Sequence, residues 1–223
     1  MQLPKNKTIQ AGFTLIELLV VLAIFVIVTS VVLFQYGNLR SSSSLSNLAT
    51  DMSLSIRRAQ SYAIGAANSG FAASNFTHAY GVHFSADTPP VVNQYNGSNN
   101  SFVMFTDVSD NGMYDVNSTS TPCNVQNLST TSECTELLTI SNADRISAIY
   151  LNGTTPINAG DSIDVMFLRP NPDAFFCYRP SGFSSCSATS ISSVTIEISN
   201  PGTSVGNTTQ DIVIWSTGQI SVQ

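Results

Sequence analysis

From Phe13 to Phe34 the chain reads FTLIELLVVLAIFVIVTSVVLF, and Glu17 is the only charged residue in the run. After Glu17 no charge occurs until Arg40. As a helix rising about 1.5 Å per residue, this stretch would span roughly 33 Å, the thickness of a bilayer core. Lys5 and Lys7 precede it, which favours a cytoplasmic N-terminus and places everything after Arg40 outside the cytoplasm. A cleaved secretory signal would carry a shorter apolar core followed by a small-residue cleavage site. Here the small residues Ala11 and Gly12 stand before the run, and no Ala-x-Ala pattern follows it. Glu17 is the second departure from a plain anchor, because a carboxylate inside a spanning helix costs about 2.5 kcal/mol or more and marks function.

Gly12-Phe13-Thr14-Leu15-Ile16-Glu17-Leu18-Leu19, behind a short basic leader, resembles the processing motif of type IV prepilins and type II secretion pseudopilins. The resemblance implies that prepilin peptidase, a membrane aspartyl peptidase, cuts between Gly12 and Phe13. It also implies that Phe13 becomes the methylated N-terminus and that the apolar helix stays on the mature chain. Glu17 then acquires an assembly role. Its carboxylate would pair with the Phe13 amine of a neighbouring subunit, neutralising two charges that are costly in an apolar filament core and fixing axial register.

Beyond the run, Leu45, Leu48, Met52, Ile56, Ala59 and Ala63 recur at helical spacing and form one apolar face. The spacing predicts that the helix continues to about Ala67, roughly 80 Å in all. Gly37 and Ser41 to Ser44 are its weakest helix formers and the expected place of a bend. Asn68-Ser69-Gly70 is a stop signal. From Phe71 the pattern changes to short apolar alternations separated by Gly, Pro, Asn and Ser. Strands are expected at 79–84, 101–106, 137–141, 146–151, 162–168, 174–178, 194–198, 212–215 and 219–222. The fold class is therefore α+β, a long N-terminal helix packed on an antiparallel β-domain. The expected organisation is a leader at 1–12, the helix at 13–69 with its spanning part at 13–34, and a β-rich domain at 70–223.

Two further pieces are similar to the GspH/FimT-type minor pilins and pseudopilins. One is the helix segment Leu54 to Ala63, containing Arg57-Arg58-Ala59. The other is the closing Ile212-Val213-Ile214-Trp215-Ser216-Thr217-Gly218-Gln219-Ile220, which looks like their final strand, glycine turn and strand. Gln219 stands where a basic residue is common in that group.

The four cysteines would lie in an oxidising compartment. Sequential disulfides, Cys123 with Cys134 and Cys177 with Cys186, are the choice among three connectivities. Zinc is the alternative, but CxxC spacing is absent and neither histidine is near a cysteine in sequence. Asp107-Val108-Ser109-Asp110-Asn111-Gly112-Met113-Tyr114-Asp115 has two readings. Asp107, Asp110 and Asp115 supply hard oxygens suited to calcium, as in a β-domain loop of some pseudopilins, but without the EF-hand series. Alternatively the stretch is an acidic hairpin turn in which Asn-Gly provides positive φ.

Little favours an enzyme. His78 and His83 are the only histidines, and alternation within Tyr80 to Phe84 places His83 on a solvated strand face. Gly-x-Ser-x-Gly and phosphate-binding glycine loops are absent. Charge speaks against nucleic acid as a partner. Without the leader's two lysines, six arginines face fourteen carboxylates, and Ile212 to Gln223 carry no charge. Arg145, Arg169 and Arg179 are the basic residues that could cluster. The expected partners are thus prepilin peptidase, the cytoplasmic membrane and other pilin or pseudopilin subunits in a filament, with no cofactor unless calcium. A tip subunit for DNA uptake or adhesion and a single-pass anchored binding domain are the other readings.

Overall fold

The structure, a computed structural model, describes residues 12–65, 78–88, 94–115, 123, 128–130, 132–201 and 209–223. It divides into two compact units between Arg40 and Ser41. Helix α1, Leu15–Ile64, runs through that division, and its backbone remains helical at Gly37 and Ser41 to Ser44. The expected stop at 68–70 lies outside the described residues.

In the first unit, α1 begins just after Thr14. The Thr14 hydroxyl accepts the Glu17 N–H at 3.3 Å and the Thr14 carbonyl accepts the Leu18 N–H at 3.2 Å. Thr14-Leu15-Ile16-Glu17 is thus a capping-box sequence, which supplies partners to N–H groups that a helix start leaves open. From Leu15 to Leu33 the helix is long and apolar enough to cross a membrane, and no part of that stretch is buried. The Thr29 hydroxyl bonds the Phe25 and Val26 carbonyls, so this polar group is satisfied inside the helix.

The second unit is an α+β domain with ten strands among the described residues. They are β1 Ala79–Ser85, β2 Ser101–Asp107, β3 Cys134–Thr139, β4 Arg145–Leu151, β5 Thr155–Pro156, β6 Ser162–Phe167, β7 Ala174–Arg179, β8 Ser193–Ser199, β9 Thr209–Trp215 and β10 Ile220–Val222. Two antiparallel sheets form, ordered β3-β2-β1-β6-β7 and β10-β9-β8-β4-β5. Leu45, Ala49, Met52, Ile56, Ala59 and Ala63 of α1 share one core with Tyr80, Val82 and Phe84 of the first sheet and Val194, Ile196 and Ile198 of the second. Leu48, expected on the buried stripe, is only partly buried beside Ala49.

Polar side chains of α1 hold both sheets. Arg57 donates to the Ile220 carbonyl at 3.0 Å, Arg58 pairs with Glu136, and the Gln60 amide donates to the Pro172 and Gly218 carbonyls. Gly218 has φ +79°, and a Cβ there would lie 2.0 Å from the Pro172 oxygen, so glycine is required for this contact. The helix segment and the final glycine turn, distant in sequence, therefore meet.

Several strand bounds change, and β9 begins at Thr209 rather than at 212. β3 covers 134–139 rather than 137–141, because its register is set by Ser101↔Thr139 and Phe105↔Cys134 around a bulge at Met104/Phe105. Thr135 bonds the Met104 carbonyl at that bulge, and the chain leaves the strand when the Ile140 N–H turns to Asn100. The short β5 was not expected, since a two-residue pairing has no periodicity to read.

Every residue of β1 is buried. One face packs on the common core; the other is covered by a second cluster containing Val103, Phe105, Tyr114, Cys134, Met166 and Cys177. Gly81 is required there, because a Cβ would sit 2.7 Å from the Phe105 ring and 2.8 Å from Met166.

Candidate functional sites

Gly12 and Phe13 precede the first turn of α1, and Phe13 is 86% exposed. A Cβ on Gly12 would meet nothing within 4 Å. The backbone at the expected scissile bond is thus open and non-helical, the condition for access by a peptidase. Glu17 is the third residue of α1 and lies exposed in its acidic first turn. A carboxylate at this position is favoured by the helix dipole by about 0.3–1 kcal/mol.

In the β-domain, the segment after β2 folds over the outer face of the first sheet. Asp107 Oδ1 accepts the Asn111 N–H at 3.1 Å and the Ser109 hydroxyl, and its Oδ2 accepts the Gly112 N–H at 2.8 Å. Asp115 Oδ2 accepts the Ser109 hydroxyl and the Asn111 amide. Asp110 instead faces His78, Oδ1 to Nδ1 at 2.9 Å. Glu133, which sequence reasoning missed, receives the Ser109 and Asp115 N–H groups at 2.8 and 2.9 Å. Much of the carboxylate set is thus already occupied by the chain's own donors, and Asp110 Oδ1 faces His78. Among the described residues no group of three His, Cys, Asp or Glu is placed to hold a metal.

The segment is also not a two-residue hairpin. Positive φ occurs at Asp110 (55°) and Gly112 (77°), not at Asn111, whose side chain is tied to Asp115. The connection from β2 to β3 runs the long way, from Val108 to Glu133. Disulfides join Cys123 to Cys134 and Cys177 to Cys186, one at each side of this covering layer.

Burial pushes the Glu133 carboxyl up to about 7, opposed by its two backbone donors and assisted by the nearby Asp107 charge. Glu133 is fully buried. The folded state therefore holds this proton more tightly than the unfolded chain, whose value is near 4.5. That contribution to stability is complete below the unfolded value and lost as pH rises toward 7, a change of about 3 kcal/mol. Denaturant unfolding in detergent should give a more stable protein at pH 5 than at pH 7.5, and Glu133→Gln should flatten this dependence. An unchanged slope in the variant would remove Glu133 as its source.

His83 corrects an expectation. It is 3% exposed rather than solvated. Its Nδ1 lies 2.5 Å from Asp164 Oδ1, its Nε2 lies 2.8 Å from the Asn96 carbonyl, and its ring packs on Tyr114. Asp164 is wholly buried; its Oδ2 accepts the Tyr114 N–H at 3.0 Å and faces Arg179 at 3.7 Å. Arg179 donates to the Tyr114 carbonyl at 3.1 Å. These interactions fasten the cover to the sheet. Arg179 is thereby tied into the domain, and Arg145 lies on β4 of the other sheet.

Comparison with known proteins bears on the N-terminal site. The family model described as the prokaryotic N-terminal methylation motif matches residues 7–33. This match supports the type IV pilin and pseudopilin class, whose members are substrates of prepilin peptidase and assemble with other pilins. The motif points to a structural pilin rather than an enzyme, and with the apolar helix it fits anchoring in the inner membrane. No curated protein and no solved structure matches the chain.

Proposed function

We propose that the chain is a structural subunit, of the minor kind, of a type IV pilus or type II secretion pseudopilus. Prepilin peptidase cuts it after Gly12 and methylates Phe13; residues 13–34 hold it in the cytoplasmic membrane with the N-terminus inside; the β-domain stands outside until the subunit enters a filament. The observation that carries this reading is the methylation-motif match over 7–33, with Gly12, Phe13 and Glu17 set at the exposed start of an unburied apolar helix. Arg57, Arg58 and Gln60 reaching both sheets, with Gln60 on Gly218, support a GspH/FimT-like placement, because the two segments that carry that resemblance also touch. The excess of carboxylates over arginines speaks against DNA as a tip ligand.

Mass spectrometry of the chain purified from cells containing prepilin peptidase tests this. The expected mature protein begins at Phe13 and is heavier by one methyl group. A chain retaining residues 1–12 would overturn the reading in favour of a plain membrane anchor.

A further inference from the structure

A cavity of about 280 Å³ opens on the outer side of the first sheet, above the His83–Asp164 pair. Its wall includes Asp87, Asn96, Asp115, Arg179, Ser181 and the ring of Phe183. Phe183 sits at the end of a tight turn, its N–H on the Pro180 carbonyl at 3.1 Å, within the loop closed by Cys177 and Cys186. The loop is thus held in shape, yet it presents this aromatic ring 66% exposed.

The polar groups of the wall are of mixed kind. The Asp87 carboxylate and the Ser181 hydroxyl have no hydrogen-bond partner among the described residues, and Asp115 uses only Oδ2. Arg179 is drawn toward the chain by Tyr114, Ser162 and Asp164. An inorganic anion entering here would meet two carboxylates and a guanidinium already engaged. An apolar ligand would strand the polar groups, at a cost that opposes binding. A ring bearing several hydroxyls suits all of them, because each hydroxyl both donates and accepts. Its apolar C–H face would find the electron-rich face of Phe183. Pockets that fix orientation with a few polar groups beside an aromatic wall are the usual form of small-ligand sites.

We propose that this cavity binds a neutral saccharide unit, stacked on Phe183 and hydrogen-bonded by Asp87, Asp115 and Ser181. The site lies on the sheet face opposite Tyr80, Val82 and Phe84, which share the core with α1. Only its accessibility in a filament rests on the proposed function, since a subunit packed through its helix keeps this face open.

The test uses the full chain in a detergent without a sugar headgroup. Saturation-transfer NMR and calorimetry would be run with glucose, galactose, mannose and N-acetylglucosamine, and separately with inorganic phosphate. At least one sugar is expected to bind, with Phe183→Ala weakening it about tenfold and Asp87→Asn several-fold, while both variants keep the parent melting temperature. Binding by none of the sugars, equal binding by Phe183→Ala, or saturable phosphate binding in place of sugar would overturn the proposal. N-terminal processing of the same preparations is measured independently, so a failure of the filament reading leaves the sugar result standing, and the converse holds.

Discussion

Asp164→Ala is expected to lower the melting temperature of the β-domain by on the order of 10 °C, the largest loss from any single side chain of the outer layer. Asp164 is wholly buried and serves three elements at once: His83 of β1, the Tyr114 N–H of the covering segment, and Arg179 at the end of β7. Alanine leaves a ring nitrogen, a backbone N–H and a guanidinium facing a void. Breaking a buried charged network by removing one partner costs about 3–5 kcal/mol, mostly the penalty of the groups left behind. For a domain of this size each kcal/mol moves the midpoint by about 2–4 °C. Asp164→Asn keeps the shape and one acceptor, so its loss should be clearly smaller. Near-ultraviolet circular dichroism during thermal unfolding gives the midpoints. If Asp164→Ala melts with the parent protein, the outer layer is not fastened through this residue. Because Asp164 and His83 share one hydrogen bond, the double replacement with His83→Ala should cost less than the two single losses together.

That network also shows where reading the sequence stops. The apolar helix, its soluble stripe and most strand positions are local patterns, and a charge-free run or a two-residue alternation carries them directly. Alternation puts His83 on a wet face because it assumes that one side of a strand meets solvent. In β1 both faces are dry, since Tyr114 and the disulfide-tied segments return from some 30 to 100 positions later to cover the second face. No period in Tyr80 to Phe84 encodes that. Glu133 was invisible for a related reason: a single acid in a Ser/Thr-rich stretch looks solvated until Ser109 and Asp115 turn their N–H groups toward it. The Asp107 to Asp115 composition was legible as unusual, but whether its oxygens face a cation or the chain's own donors depends on φ at Asp110 and Gly112, which composition does not set. The N-terminal methylation motif is fully local and therefore legible at once.

Glu17→Ala is expected to leave membrane insertion intact and to reduce filament incorporation at least tenfold. Three contributions act on this carboxylate and they differ in sign. As a charge within a spanning segment it opposes insertion by about 2.5 kcal/mol or more. As an acid in the first turn of α1 it is favoured by about 0.3–1 kcal/mol, and the start of the helix is already capped by the Thr14 hydroxyl on the Glu17 N–H. Within a single chain the first contribution outweighs the second, so alanine makes insertion easier and leaves the backbone cap in place. Processing would create a cation, the amine of Phe13, and pairing it with Glu17 of a neighbouring subunit would turn the charge into an advantage for assembly. Glu17→Gln separates charge from shape: it preserves length and hydrogen bonding but cannot neutralise an amine, and it should fail in assembly nearly as badly as alanine. Thr14→Ala provides the contrast, since loss of a cap costs about 1 kcal/mol of helix stability and leaves the carboxylate available, so incorporation should fall only slightly. Fractionating membranes and sheared filaments and quantifying the chain in each gives both readouts from one culture. Normal incorporation of Glu17→Gln would remove the charge pair from the assembly mechanism, whereas failure of Thr14→Ala alone would reassign the defect to the start of the helix.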